Sequence, residues 1–384
     1  MGSLTARELE VLQLVHARPG ITRAQVAATL SASSGTVTGL VRSLNEARLL
    51  DEQPAAPSGA RGRPTRRLVP HPDGPLVIVG VVSHESWRLS VVQLSGTIVA
   101  FESGHHDGVD GAHVVQELGR LAAGLAERFP GRIRGTGLAF PGVVRGNVLL
   151  DAPLLEWRSL NVGSIAPPSG SPTASASDRV VVVGNDATFA ALGEAVRGAA
   201  RSAELHLHLY LDAGLGGALT YRGAVVPGAL GLGGEFGHMP FGDPAAHCPC
   251  GATGCWTTAV GAVPLAAALS EPIPGDAVGY ARRILEAARR GDTRAHDAIT
   301  AVATSLGRGI AGLVNGLDVD LVTLGGWAPE VAEVAPEALS CAYIEGLMRF
   351  RRSEPPPMIP GALGDDAPNV GASEQVWSKL WAIL

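Results

Sequence analysis

The sequence predicts an α/β protein built in two parts. A winged helix-turn-helix occupies residues 1–73, and two α/β lobes at residues 76–384 face each other across a cleft. Three observations predict this. The chain has 384 residues, 46% of them hydrophobic, which exceeds one ordinary core and suits two or three domains. Pro70, Pro72 and Pro75 fall around His71, Asp73 and Gly74, a density that continues neither helix nor sheet, so a boundary lies there. Before that boundary the apolar spacing is helical; beyond it, strands, helices and glycine turns alternate.

Residues 5–17 set Leu9, Val11, Leu12 and Val15 on one helical face, and Pro19-Gly20 ends the element. Thr22 caps a second helix over residues 23–30, with Val26, Ala27 and Leu30 inward. After a turn at residues 31–33, a third helix runs over residues 34–49 and buries Val37, Leu40, Val41 and Leu44. Its outer face carries Ser34, Thr36, Thr38 and Arg42, donors that reach base edges or phosphates when such a helix enters a major groove. Leu49-Leu50 opens a strand and Arg67-Leu68-Val69 returns beside it, with Arg61-Gly62-Arg63-Pro64 in the loop between them. Arg61 and Arg63, held extended by Gly and Pro, suit a narrow minor groove, whose negative potential attracts guanidinium groups. One such helix alone would read as part of a bundle making protein contacts. Three helices with an arginine-tipped wing read as a binder of a double-stranded DNA operator.

Beyond the boundary, strands are expected at residues 76–82, 87–94 and 98–101, then a helix at 112–128 and a strand at 136–140 running into Pro141-Gly142. Residues 167–177, rich in Pro, Ser and Ala, read as a surface insertion. A strand at 180–183 leads into Gly184-Asn185-Asp186. Strands at 205–211 and 218–221 flank the turn Gly214-Leu215-Gly216-Gly217. Helices at 276–290 and 296–317 precede a strand at 321–324 that ends in Gly325-Gly326.

The most specific local signal is CPCGATGC, which brings Cys248, Cys250 and Cys255 together ten residues after His238. With His238 these make a complete tetrahedral ligand set for a structural zinc in the loop 238–255, and Gly251 and Gly254 let the loop fold back. His247 is a competing imidazole, but it sits directly beside Cys248 and is poorly placed to chelate the same ion, so His238 is preferred. Cys341 lies far away, and cysteines so concentrated argue for metal rather than disulfides.

Residues 1–75 hold nine Arg against six Asp and Glu, net +3; the whole chain carries −6, which leaves −9 for the remainder. A basic head on an acidic body suits a polyanion at one end only. No apolar run is long enough to span a bilayer. MGSLTARELE has neither a basic n-region nor an apolar h-region, so a cytoplasmic location is expected.

The order PGVV, GNDA, a glycine turn, GEFGH, CPCGATGC, LGG and GDDA resembles the ROK family of sugar-responsive transcriptional repressors and sugar kinases on an actin-like, hexokinase-like fold. The preceding winged helix looks like the repressor branch. On residues alone, Asn185 and Asp186 read as a cap at a strand end and Glu235 as a solvated loop acid. The resemblance implies instead that Asn185, Asp186, Glu235 and His238 hold sugar hydroxyls in the cleft. It also implies that His238 couples metal to ligand through its two ring nitrogens. Two residues after the cysteine run the family usually has another sugar contact, a Glu. Thr257 stands there, which implies a different or derivatised sugar, or loss of tight binding.

For kinase chemistry Asp186 would be the base, but the phosphate turns depart from the family pattern. Where the kinases resemble DxGGT, the chain reads Val82-Ser83-His84-Glu85-Ser86; where they have GTG, it reads Asp212-Ala213-Gly214. Carboxylates at both places repel a nucleotide. The expectation is therefore a sugar-responsive DNA-binding regulator, a repressor without enzymatic activity, with zinc as its metal. It would act as a homodimer or homotetramer, since two-fold half-sites call for paired heads. The competing expectation is an ATP-dependent sugar kinase with an accessory DNA-binding head.

Overall fold

The computed structural model describes residues 4–54, 66–106, 108–167, 180–272 and 275–384. Helices α1 (Ala6–Ala17), α2 (Arg23–Thr29) and α3 (Ser34–Glu46) pack around Val11, Leu12, Val15, Val26, Val37, Val41 and Leu44. Capping boxes start the first two, Thr5 with Glu8 and Thr22 with Gln25, and the Ser33 hydroxyl accepts from the Thr36 amide to start α3. The third helix thus ends three residues earlier than its spacing predicts. The released residues Ala47 and Arg48 form the turn into β1 (Leu50–Pro54), which pairs antiparallel with β2 (Arg66–Pro70). Arg61 and Arg63, predicted at the wing tip, lie outside the described residues.

The body's first strand begins at Leu76. Its first lobe comprises β3 (Leu76–Val82), β4 (Ser86–Gln93), β5 (Ile98–His105), α4 (Gly111–Glu127) and β6 (Ile133–Phe140). A small sheet follows, β7 (Val143–Arg145), β8 (Val148–Ala152) and β9 (Trp157–Asn161), then β10 (Val180–Asn185) and α5 (Asp186–Val196). The second lobe runs through β11 (Leu205–Leu211), β12 (Leu215–Tyr221), β13 (Ala224–Val225), α6 (Ala262–Leu269), α7 (Ala277–Arg289) and α8 (Thr293–Leu317). It ends with β14 (Leu321–Gly326), α9 (Ala328–Val334), α10 (Pro336–Gly346), β15 (Met358–Pro360) and α11 (Ala367–Leu380). Residues 215–217, expected in a turn, belong to β12: Leu215 pairs with Leu211, so the glycines lie in an antiparallel strand and the turn itself is residues 212–214.

Both main sheets are wired alike. In β5-β4-β3-β6-β10 and in β13-β12-β11-β14-β15, the lobe's first strand is central, with two antiparallel strands on one side and two parallel strands on the other. The helix after the fifth strand of each lobe covers the sheet of the other. Thus α5 lies against β11 and β12, and α11 against β3, β6 and β10. The two helices cross at glycines so closely that a Cβ on Gly371 would stand 1.7 Å from the Phe189 carbonyl oxygen. No residue larger than glycine fits that crossing.

The head is docked on the body, not strung from it. Val11, Leu12 and Val15 share one continuous apolar core with Leu94, Trp377 and Leu380. Within this seam His16, 4% exposed, donates from Nε2 to Glu374 at 3.0 Å while its Nδ1 accepts from the Ser95 amide at 3.0 Å. The accepting bond at Nδ1 fixes the tautomer. Arg197, just past α5, donates to Glu374 at 2.8 Å and to the His16 carbonyl at 2.6 Å. Burial works to raise the Glu374 carboxyl, but its bonds to His16 and Arg197 outweigh burial and hold it below the ordinary carboxylate range.

Candidate functional site

The cysteine loop folds as a knuckle after a short turn at Phe236–His238. The Cys248 amide donates to the Ala252 carbonyl and the Gly254 amide to that of Ala246, with Gly251 at φ +95° and Gly254 at +71°. The ligand atoms of His238, Cys248, Cys250 and Cys255 all lie within 4.8 Å of one another. Cys250 and Cys255 sulfurs stand 3.7 Å apart, and His238 Nδ1 stands 3.7 Å from the Cys248 sulfur. Sulfurs bound at about 2.3 Å to a tetrahedral zinc are separated by about 3.8 Å, so the donor set fits the ion. Burial pushes the Cys255 thiol up to about 12, so only a cation in the knuckle would keep it deprotonated. His247, the competing imidazole, bridges Thr253 through its backbone and is outside the cluster. The residue the sequence reading missed is Trp256. Fully buried, it presses on Gly309 of α8 and donates from Nε1 to the Ser305 carbonyl at 3.2 Å, riveting the knuckle to the second lobe.

Beside the knuckle, a cavity of about 120 Å³ lies between the lobes and gathers Asn185, Asp186, Asp212, Glu235 and His238. The four residues that the resemblance assigns to the sugar, Asn185, Asp186, Glu235 and His238, therefore line one cavity. Local physics explains two of them. Asn185 ends β10 and caps α5: its Oδ1 accepts from the Thr188 amide at 3.0 Å and its Nδ2 donates to the Gly142 carbonyl at 3.1 Å. The capping role read from residues alone is thus present, and it fixes the amide at the cavity wall. Asp186, 8% exposed, accepts from the Ala187 amide at 2.7 Å. His238 Nε2 points toward the Glu235 carboxylate at 3.9 Å, opposite the ring nitrogen that faces the cysteines. Thr257 is turned to a structural task, its hydroxyl accepting from the Leu215 amide at 3.2 Å and holding the 212–214 turn.

Burial first, and then the charge of Asp212, push Asp186 up to about 8; burial and then the charge of Glu85 push Asp212 up to about 7. Unfolded, both ionise near 3.8. As pH rises from 3.8 to about 7 the unfolded chain releases the Asp212 proton and the folded chain keeps it, so stability is lost across that window. Asp212→Asn removes the loss. Urea unfolding should show the variant more stable by about 2 kcal/mol at pH 8, with the gain shrinking toward pH 4.5. An equal gain at both pH values would trace it to packing instead.

The turn between β3 and β4 borders the same cavity through His84. Ser83 and Ser86 tie it internally, with hydroxyls 2.9 Å apart. His84 reaches the Leu154 carbonyl at 3.1 Å and the Glu85 carboxylate at 3.2 Å. Glu85 crosses to the second lobe, where its carboxylate accepts from the Ala277 amide at the start of α7. A helix N-terminus favours an anion, and here the chain supplies its own. Burial raises Glu85, but the His84 bond and the α7 amide prevail and hold it below the ordinary range; that bond to Glu85 raises His84. Arg88 adds a second tie, to Asp366 at 2.6 Å.

On the head, Ser34, Thr36, Thr38 and Arg42 of α3 are exposed, while Val37, Val41 and Leu44 of the same helix are buried. Two of the hydroxyls already have partners: Thr38 donates to the Ser34 carbonyl at 2.8 Å, and Thr36 lies 2.8 Å from the Ser33 hydroxyl. Among the described residues Arg42 is held only by Glu46 at 3.9 Å, both in solvent.

Two lobes of identical strand order around a polar cleft define the actin-like, hexokinase-like class of fold. Within that class, residues 85–378 match the profile of the ROK family, and the chain belongs to it. It is similar to a glucokinase of Halalkalibacterium halodurans, 28% identical over 250 residues, 62% of this chain and 74% of that one. It is also similar to a xylose repressor of Bacillus spizizenii, 24% identical over 364 residues, 93% of this chain and 91% of that one. Among solved structures, a ROK family transcriptional regulator homologous to the E. coli MLC protein superposes with a TM-score of 0.73 at 19% identity, covering 98% of this chain and 97% of that chain. A ROK glucokinase from Streptomyces griseus superposes at 0.64 and 24% identity, covering 79% of this chain and 99% of its own. Regulators and kinases are thus both among its relatives. No helix among the described residues is long and apolar enough to cross a membrane.

Proposed function

We propose that the protein is a sugar-responsive transcriptional regulator, a repressor that binds an operator through its head, senses a saccharide in the interlobe cleft and holds one structural zinc. The observation that carries this reading is Glu85. A kinase needs the anion-favouring end of its cleft free for nucleotide phosphates. Here a carboxylate of the chain sits on the α7 N-terminus, and Asp212 adds a second acid nearby. Similarity to regulators over nearly the full chain supports the same reading. Asn185, Asp186, Glu235 and His238 are the residues assigned to the sugar, and His238, Cys248, Cys250 and Cys255 to zinc. Ser34, Thr36, Thr38 and Arg42 on α3, with Arg61 and Arg63 in the wing, are assigned to DNA. Two-fold operators pair two heads, so a homodimer or homotetramer is the working assembly.

Saccharide binding favours one lobe arrangement over another, and that preference shifts the heads. The test selects an operator from genomic fragments retained by the protein and titrates it against salt. Affinity should fall steeply with salt, and Arg42→Ala should weaken binding and flatten the logarithmic slope by about one unit. A flat salt response would remove the arginines from the interface. The second reading, a sugar kinase with an accessory head, draws on the glucokinase relatives and on Asp186 in the position of a base. ATP turnover with any simple sugar, abolished by Asp186→Asn, would replace the first reading with it.

A further inference from the structure

The cavity at Asp186 is small, about 120 Å³, yet it is one of two that meet at the same wall. Gly142, Asn185, Gly216 and Glu235 also border a second cavity of about 640 Å³, which lies between β10, α5, the loop after β13 and α11. Small-molecule sites run to roughly 300–1,000 Å³, a range the second cavity reaches and the first would reach only together with it. Its surfaces are of two kinds. Trp381 offers a flat apolar indole, with the nearly buried Phe189 and Leu192 behind the wall, while Gln375, Ser378 and the backbone of Gly233 and Gly234 offer polar groups. Among the described residues the Gln375 side-chain amide meets no partner. The Trp381 indole is stacked on Trp377 at 5.5 Å and meets the His16 ring edge-on at 5.2 Å.

A pyranose ring has the matching character, with apolar C–H faces and a rim of hydroxyls. We propose that the larger cavity is the subsite for the outer ring of a glycoside, so that the effector is a disaccharide or longer rather than a free monosaccharide. The inner ring sits at Asp186, the linkage passes Asn185 and Glu235, and the outer ring lies against Gln375, Ser378 and Trp381. This rests on the saccharide-sensing reading above and extends it. It also gives the effector direct access to the head, because Trp381 and Glu374 border the cavity and also hold His16.

The test is calorimetry on the full chain with glucose, xylose, galactose and N-acetylglucosamine, each against disaccharides built from it. At least one disaccharide should bind about tenfold tighter than its own monosaccharide, a difference of about 1.4 kcal/mol. Ser378→Trp places an indole from the exposed rim into the larger cavity and should erase that gain while monosaccharide affinity stays the same. If Ser378→Trp also loses the monosaccharide, Gln375→Ala repeats the comparison without added bulk and should reduce the gain. Monosaccharides binding as tightly as every disaccharide, or a gain that survives these variants, overturns the proposal. Absence of heat from every sugar, with operator binding retained, removes the saccharide-sensing reading itself and the subsite with it.

Discussion

Cys250→Ser should empty the knuckle and loosen the second lobe. Protein purified without chelator should carry about one zinc per chain, and the variant close to none, by elemental analysis. Three thiols and an imidazole meet within 4.8 Å, and without a cation they crowd one another in a partly buried loop. Zinc binding to a structural site is worth about 10–16 kcal/mol in small peptides. Only part of that reaches global stability here, because the knuckle is also held by its backbone bonds and by Trp256. A loss of about 3–5 kcal/mol is expected, lowering Tm by roughly 5–10 °C in a domain of this size. Chelator should do the same to the native protein and nothing further to the variant. Full metal content in Cys250→Ser would rule out this ligand set.

Glu374→Ala should undock the head. The variant leaves Arg197 and His16 facing an empty place in a dry seam, and breaking a buried pair in this way costs about 3–5 kcal/mol. The loss falls on the interface, since Glu374 ties α11 to α1 and to the end of α5, whereas the helices of the head keep their own core. Hydrogen exchange in residues 4–17 should accelerate, and calorimetry should resolve a separate low-temperature transition for the head. The carboxylate is held below its ordinary range, so its contribution is present above a pH of about 4.5 and is lost as pH falls through the folded value. Acid should therefore weaken docking in the native protein and leave Glu374→Ala little changed. A single cooperative transition with unaltered exchange in α1 would show that apolar contact alone fixes the head.

These two sites differ in how far the sequence reveals them. The knuckle is local: four ligands within eighteen residues, with glycines where the backbone must turn, can be read without knowing what lies nearby. The head is local too: Thr22 announces its second helix and apolar spacing the other two, while the caps Thr5 and Ser33 appear in the structure. The dock is not. His16 and Glu374 are 358 residues apart, and nothing in the spacing around either one names the other. Glu85 gave a partial signal. An acid where a phosphate turn is expected reads as repulsion of nucleotide, but its bond to an amide 192 residues on converts repulsion into a tie between lobes. Thr257 reads as a lost contact until its bond to Leu215 shows it supporting the turn at Asp212. The duplicated strand order was hidden because the halves share no visible repeat, and sheet wiring emerges only from pairing.

The exchange of α5 and α11 between lobes also bears on how the protein is made. The first lobe and the head emerge early from the ribosome, but the face they share stays uncovered until residues 367–380 have been synthesised. During that interval a nascent chain shows Val77, Val79 and Val92 to its surroundings, a surface that invites self-association or a chaperone. Closure is thus deferred until α11 has been made, and the head acquires its seat on the body only then.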